Sequence, residues 1–409
     1  MDVIVVGGGA SGLVAAWRGA CRGHKVRLLE GNPRLGVKLL LSGGGKCNLT
    51  HEGSVRELLS AFPPDQARFL RPALHAFGSG DVRELFRRQG VETYVRENGR
   101  VFPKDPGSAL QVLEALESLV RHSGAEIRTG ARVAALEGQA PTLKQVVLAS
   151  GELLRADLFI LATGGASYPE TGTRGEALGW LKSLGVGGRS WFPALAPIPL
   201  MVARPEWEGV PLREGSLVLR EGDGGKRLAT FAGDVLFTRK GITGPAALEL
   251  SEAVETARRR GRPWLGYLLG RGDEAALEAE LLELQRVNPH LSLGNWVKRR
   301  LPERLVAKVC GQAGVDPDTR FKGLTRPERR ALVSLLCEFP LGEPGPVALE
   351  RGEVCAGGVG LERIDPRNLL VRGWDNLKVC GELLDLNGPV GGYNLQAAFS
   401  TGYLAGDIS

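Results

Sequence analysis

The stretch Val3-Ile4-Val5-Val6-Gly7-Gly8-Gly9-Ala10-Ser11-Gly12 decides the fold. Four apolar residues bounded by glycine predict a buried parallel strand that begins almost at residue one. Gly7, Gly9 and Gly12 then keep the G-x-G-x-x-G spacing: a tight turn, a bare backbone for a pyrophosphate, and close packing of helix on strand. The helix N-terminus, with Ala10 and Ser11 in its first turn, is aimed at the phosphates. A second strand over Lys25 to Leu29 ends in Glu30, where an acid would accept the hydroxyls of a ribose. Strand, turn, helix, strand and acid in that order predict dinucleotide binding. They do not decide between FAD and NAD, which present the same ADP half.

Composition agrees with a large ligand. Of 409 residues 58 are glycine, about twice the usual share, with no collagen period. With 43% hydrophobic and 24% charged residues the chain is neither disordered nor a coiled coil, and its length suggests two to three domains. No apolar run has the length of a membrane span, and Asp2 stands where a secretory signal carries positive charge, so a cytoplasmic protein is expected. Six cysteines and five histidines show no zinc spacing, and no metal is expected.

Beyond the ribose acid, residues 36 to 50 (GVKLLLSGGGKCNLT) offer Lys38, Ser42, Gly43 and Asn48 to a cofactor past its phosphates, Asn48 as an amide beside a redox ring. An NAD-only domain has no need of this loop. Ser108-x-x-Gln111 predicts a capped helix to about Ser123. The strand Leu158 to Ala162 runs into Thr163-Gly164-Gly165, a bare turn at the carboxyl end of a parallel strand, where ligands of α/β folds sit. That turn lacks a second G-x-G-x-x-G, so NADPH would not be held permanently. Near the C-terminus a strand ends in Gly381, Glu382 and Asp385, and Gly391-Gly392 open a helix from about Tyr393, with Asn394 beside it. The N-terminus of such a helix stabilises negative charge, which a reduced flavin carries at its N1/O2 edge and NAD does not.

Between these ends the character changes. Prolines interrupt 190 to 250, where short β-rich pieces predict a small domain, and 252 to 340 reads as an inserted helical domain with a helix capped by Thr325-x-x-Glu328. From Arg286 to Arg330 eleven basic residues face four acids, a surplus of seven that accounts for the whole chain's net +6. Trp296 and Phe321 interleave with them, as in a surface that grips a phosphate backbone and stacks a base.

These residues resemble the BaiN-like flavoproteins that include aminoacetone oxidase. The likeness runs through GGGASG at 7 to 12, KLLLSGGGKCNLT at 38 to 50, GRVFP at 99 to 103, ATGGASYPETG at 162 to 172, LFTRKGITGP at 236 to 245, AGGV at 356 to 359 and GELLDLNGPVGGYNLQAAFSTG at 381 to 402. It implies an α/β architecture: a Rossmann-like FAD-binding domain assembled from both chain ends (1 to 190 and 353 to 409), a β-rich middle domain (191 to 251 and 341 to 352) and the helical insertion. It also implies FAD contacts at Gly9, Gly12, Glu30, Lys38, Ser42, Asn48, Gly381, Glu382, Gly391, Gly392 and Tyr393, and an adenine contact through the Val133 backbone. Two positions depart from the family: Arg239 stands where a His is usual and Cys355 where a Thr is usual. Family activities span amine oxidation, bile-acid metabolism and reduction of a uracil in ribosomal RNA.

The expected activity is therefore hydride exchange between flavin N5 and a substrate at the junction of the FAD and β-domains. One form is an NAD(P)H-fed reductase acting on uracil in RNA, with Cys47 or Tyr393 as the acid. A second is an oxygen-using oxidase of a small amine, with Glu382 or Arg239 at the pocket. A third is a flavin-holding scaffold without chemistry.

Overall fold

The computed structural model describes residues 1–105, 107–269 and 273–408. Contacts divide the chain into two compact units, Met1–Ala194 with Leu349–Ser409, and Leu195–Ala348. The first is the Rossmann-like FAD-binding domain of an α/β fold. Strand β1 (Asp2–Val6) is buried from Val3 onward and pairs in parallel with both β2 (Lys25–Leu29) and the strand Leu158–Leu161. The five-stranded sheet runs Leu377–Val379, Leu158–Leu161, β1, β2, Glu126–Arg128, so a strand from the far end of the chain completes one edge.

Helix α1 (Ala10–Cys21) connects β1 to β2 and packs on the C-terminal helix Tyr393–Gly406. Small residues bring these two helices together: a Cβ at Gly402 would lie 2.3 Å from the Ser11 carbonyl oxygen, and one at Gly406 the same distance from that of Ala15. The helix Ala109–His122 forms as the sequence predicts, but the Ser108 side chain makes no cap hydrogen bond there. Apolar burial along its inner face, Val112, Leu113, Leu116 and Val120, holds it instead.

The second unit is mixed rather than β followed by α. The strand Trp264–Leu269 lies inside the stretch read as a helical insertion, and it pairs with Gly215–Arg220 on one side and Glu338–Gly342 on the other. One apolar core running from Ala196 to Val347 joins these strands to the helices, so strands and helices share a single unit instead of forming two domains. Thr325 and Glu328 form the expected reciprocal cap of the helix Arg326–Cys337. Among the described residues no helix is long and apolar enough to cross a membrane.

Candidate active site

The turn after β1 is shaped by contacts that exclude side chains. A Cβ at Gly12 would fall 1.8 Å from the Gly7 carbonyl oxygen, and one at Gly7 would fall 2.4 Å from that of Ala162. Gly7 also has φ 106°, a left-handed value that disfavours any side chain. Gly9 differs: its Cβ would meet nothing within 4 Å, and as N-cap of α1 it supplies no side-chain partner for the first-turn N–H groups. Open space therefore lies over unpaired donors at a positive helix end, which suits a pyrophosphate. Ala10 and Ser11 form the first turn, Ser11 buried beneath Gly381.

Glu30 follows β2, where the sequence predicts a ribose acid. Its carboxylate accepts from Gly8 N at 2.7 Å and Asn32 N at 2.8 Å, which fixes the side chain while each oxygen keeps a lone pair for a ribose hydroxyl. Val133 is buried and opens the strand Val133–Gln139.

At the turn after the strand Leu158–Leu161, Thr163 Oγ1 is buried without a hydrogen-bond partner beside Gly164 at φ 77°. Such an orphan is costly in a finished interior and matches a group completed by a bound molecule. Gly43, Gly44 and Gly45 all have positive φ, and Cβ atoms at the latter two would point into open space. The donors, the orphan and the bare backbone together fit FAD.

Some expected contacts are engaged with the protein itself. Lys38 Nζ lies 2.6 Å from Glu382 and 2.7 Å from Ser167 Oγ, and Glu382 also accepts from Cys355 N. Ser42 Oγ donates to Leu39 O at 2.6 Å. The Asn48 amide donates to the Thr50 and Val101 carbonyls at 3.2 Å and accepts from Gly392 N at 2.9 Å, so it braces the turn before the C-terminal helix rather than presenting a free amide to a ring. Asp385 holds Gly357 N, and Asn394 bridges both backbone groups of Gly388. Gly381, Gly391 and Gly392 have positive φ, and a Cβ at Gly392 would lie 2.4 Å from the Thr50 backbone.

Of the three expected catalytic residues, Cys47 and Tyr393 belong to the first unit and Arg239 to the second. Cys47 is fully buried under its loop, and burial pushes its thiol up to about 12. It packs as a core residue and has no opening toward a substrate. Tyr393 starts the C-terminal helix, stacked on His51 at 4.7 Å and edge-on to Phe62. Arg239 lies in an exposed hairpin turn of the second unit.

What sequence reading did not bring together is the cluster around Lys38. The turn Gly165–Tyr168 is fastened to the chain at 350–355, because Ala166 N and Ser167 N both donate to Cys355 Sγ and Tyr168 N donates to Glu350 O. Tyr168 has φ 51°, rare for a side-chain-bearing residue. Glu353 is solvent-accessible, yet desolvation raises its carboxyl above the usual range against the opposing charges of Arg100 and Lys38. The only available signal was the SYP sequence after the second glycine turn.

The basic stretch is also altered by folding. Trp296 and Phe321 are buried and pack edge-to-face at 6.0 Å in the core of the second unit, so neither is available to stack a base. Arg300 is bound to Glu280, Arg329 to Glu278 and Lys298 to Glu303. Arg299, Lys322, Arg326 and Arg330 remain exposed.

Fold and site define a flavin-dependent oxidoreductase. The chain belongs to the family described as HI0933-like protein Rossmann domain, whose profile matches residues 1–408. It is 30% identical over 407 residues to a 3-dehydro-bile acid delta(4,6)-reductase of Clostridium scindens, covering 98% of this chain and 97% of the relative. A ribosomal RNA dihydrouridine synthase of Escherichia coli is 27% identical over 407 residues, with 98% and 96% covered. The fold is similar to that of 3-ketosteroid-delta4-(5alpha)-dehydrogenase from Rhodococcus jostii, with a TM-score of 0.51 at 16% identity over 99% of this chain and 95% of that one.

Proposed function

We propose that the protein is an NAD(P)H-fed reductase that saturates a carbon–carbon double bond conjugated to a carbonyl, with uracil in ribosomal RNA as its substrate. The carrying observation is the chemistry named for relatives of matching length. A Δ4,6 bond beside a 3-oxo group and the 5,6 bond of uracil are both electron-poor alkenes conjugated to a carbonyl. Each takes a hydride at the β-carbon and a proton at the α-carbon.

Gly7 to Gly12 and Glu30 would hold the ADP half of FAD. Gly43 to Gly45, Thr163, Glu382 and the turn Gly391 to Tyr393 would surround its flavin half. When bound, FAD supplies a two-electron hydride carrier. The chain's own part is to orient the alkene, keep water from the reacting atoms and bring a proton. RNA is favoured over a small alkene by the exposed cations Arg299, Lys322, Arg326 and Arg330 of the second unit.

The test is anaerobic. Flavin absorbance should bleach on adding NADPH or NADH and return on adding ribosomal RNA, with a gain of two hydrogens on a uridine read by mass spectrometry. Flavin that ignores both nicotinamides and bleaches with a small amine would replace this reading with the amine oxidase.

A further inference from the structure

We infer that the Arg132 guanidinium is the stacking partner of the adenine of FAD, an assignment that rests on the placement of the ADP half proposed above.

A dinucleotide held between Gly7 and Glu30 leaves its base to be accounted for. The Glu30 carboxylate separates the two ends of the ADP half. Its Oε2 accepts from Gly8 N at 2.7 Å, on the side of the phosphate turn, and its Oε1 accepts from Asn32 N at 2.8 Å, on the far side. A ribose held by this carboxylate with its phosphate toward Gly9 directs its base past Glu30, toward Gly31 and Asn32. The Asn32 amide is committed there, with Nδ2 donating to Thr171 O at 2.9 Å.

Backbone bonds bring a second segment to this place. Glu30 N donates to Arg128 O at 2.9 Å, Ala131 N to Glu30 O at 2.8 Å and Gly130 N to Asn32 O at 2.9 Å, so residues 128 to 132 run beside residues 30 to 32. Neither 31 to 36 nor 129 to 134 contains an aromatic residue, and the planar group they offer a purine is the guanidinium of Arg132.

Its orientation follows from three distances. From the point where a Cβ at Gly31 would stand, Arg132 Cζ is 3.2 Å away and Nε and Nη2 are each 3.4 Å away. The central carbon is the nearest of the three, so that point lies over the plane of the group and not at its edge. One face of the guanidinium therefore rests on Gly31, at a position where a side chain would crowd it. The group is anchored through one edge nitrogen: Nη1 donates to Gly172 O at 3.2 Å and lies 3.4 Å from Glu176 Oε1. Those bonds lie along the edge and cover neither face, and the side chain is 45% exposed. A planar cation with backbone on one face and its edge tied presents the other face to an aromatic ring, and guanidinium planes stack on nucleobases in this way.

The test uses the full chain stripped of flavin and three ligands: FAD, ADP, and ribose 5-diphosphate, which keeps the ribose and phosphates of ADP and lacks the base. Calorimetric titration of Arg132→Ala should show the Kd of ADP and of FAD raised by about 5- to 50-fold. The Kd of ribose 5-diphosphate should stay within twofold of wild type. Arg132→Lys keeps the charge and loses the plane, so its ADP affinity should lie nearer to that of Arg132→Ala than to that of wild type. An ADP affinity within twofold of wild type in Arg132→Ala overturns the assignment. Equal losses for ADP and ribose 5-diphosphate also overturn it, by making Arg132 a phosphate contact. Wild type that binds none of the three ligands overturns the placement of the ADP half and the assignment with it, so the wild-type titration tells the two failures apart.

Discussion

Lys38 and Glu382, 344 residues apart in the chain, meet at 2.6 Å, and Ser167 and Cys355 N complete their hydrogen bonds. This ion pair joins the glycine-rich loop after β2 to the C-terminal segment, so both walls expected around the flavin are locked by one contact. Both side chains are about three-quarters or more shielded from water.

Removing one partner leaves the other charge in that partly buried site. Lys38→Met should destabilise the first unit by about 1 to 3 kcal/mol, a magnitude reduced from the fully buried case by the remaining exposure. It should weaken FAD retention more than Lys38→Arg. Thermal melts with and without added FAD measure both effects, and equal behaviour of the two variants would refute the ion-pair role.

Gly9 and Gly12 separate binding from folding. Gly9→Ala places its Cβ in open space at an ordinary φ of −84°, so the apoprotein should melt within about 1 °C of wild type yet retain far less flavin. Gly12→Ala forces a methyl to within 1.8 Å of the Gly7 carbonyl oxygen and should impair folding itself. Soluble yield and flavin content of the two variants check this contrast.

Lys378 is buried, donates to the Ala405 carbonyl, and has its pKa lowered to about 8, chiefly by desolvation. An unfolded lysine titrates near 10.4. Below pH 8 both states hold the proton and the native state bears the full cost of a buried ammonium. Between about 8 and 10.4 the unfolded state binds more protons, so stability rises with pH by about 3 kcal/mol from this group. Lys378→Met should remove that rise. Denaturant melts at pH 7 and pH 10 measure it, and parallel pH dependence in variant and wild type would refute it.

The exposed cations and the buried aromatics of the second unit should behave differently. Reversing Arg299, Arg326 and Arg330 to Glu should lower RNA affinity and flatten its salt dependence at unchanged melting temperature. Trp296→Ala should cost about 3 to 5 kcal/mol of stability as a core truncation. Filter binding across a salt series, beside thermal melts, tests both. A stable Trp296→Ala protein with weakened RNA binding would return the indole to the surface role its sequence position suggested.

Sequence by itself determined whatever depends on neighbours along the chain. The strand–turn–helix at residues 3 to 12, the acid after β2, the Thr325–Glu328 cap and the helix from Tyr393 are set by glycine φ values, short apolar runs and side chains bonding three residues away. Motif likeness extended that reading to the cofactor. Only the tertiary structure decided which polar groups are engaged and which are free. Asn48 and Lys38 read as cofactor contacts, and folding ties the first to Gly392 and the second to Glu382. Trp296 reads as a stacking platform and becomes core, whereas the turn at 165 to 168 is tied to a segment far along the chain through Cys355 and Glu350. The physical reason is that burial, ion pairing and desolvation depend on contacts between segments hundreds of residues apart, which no local spacing encodes.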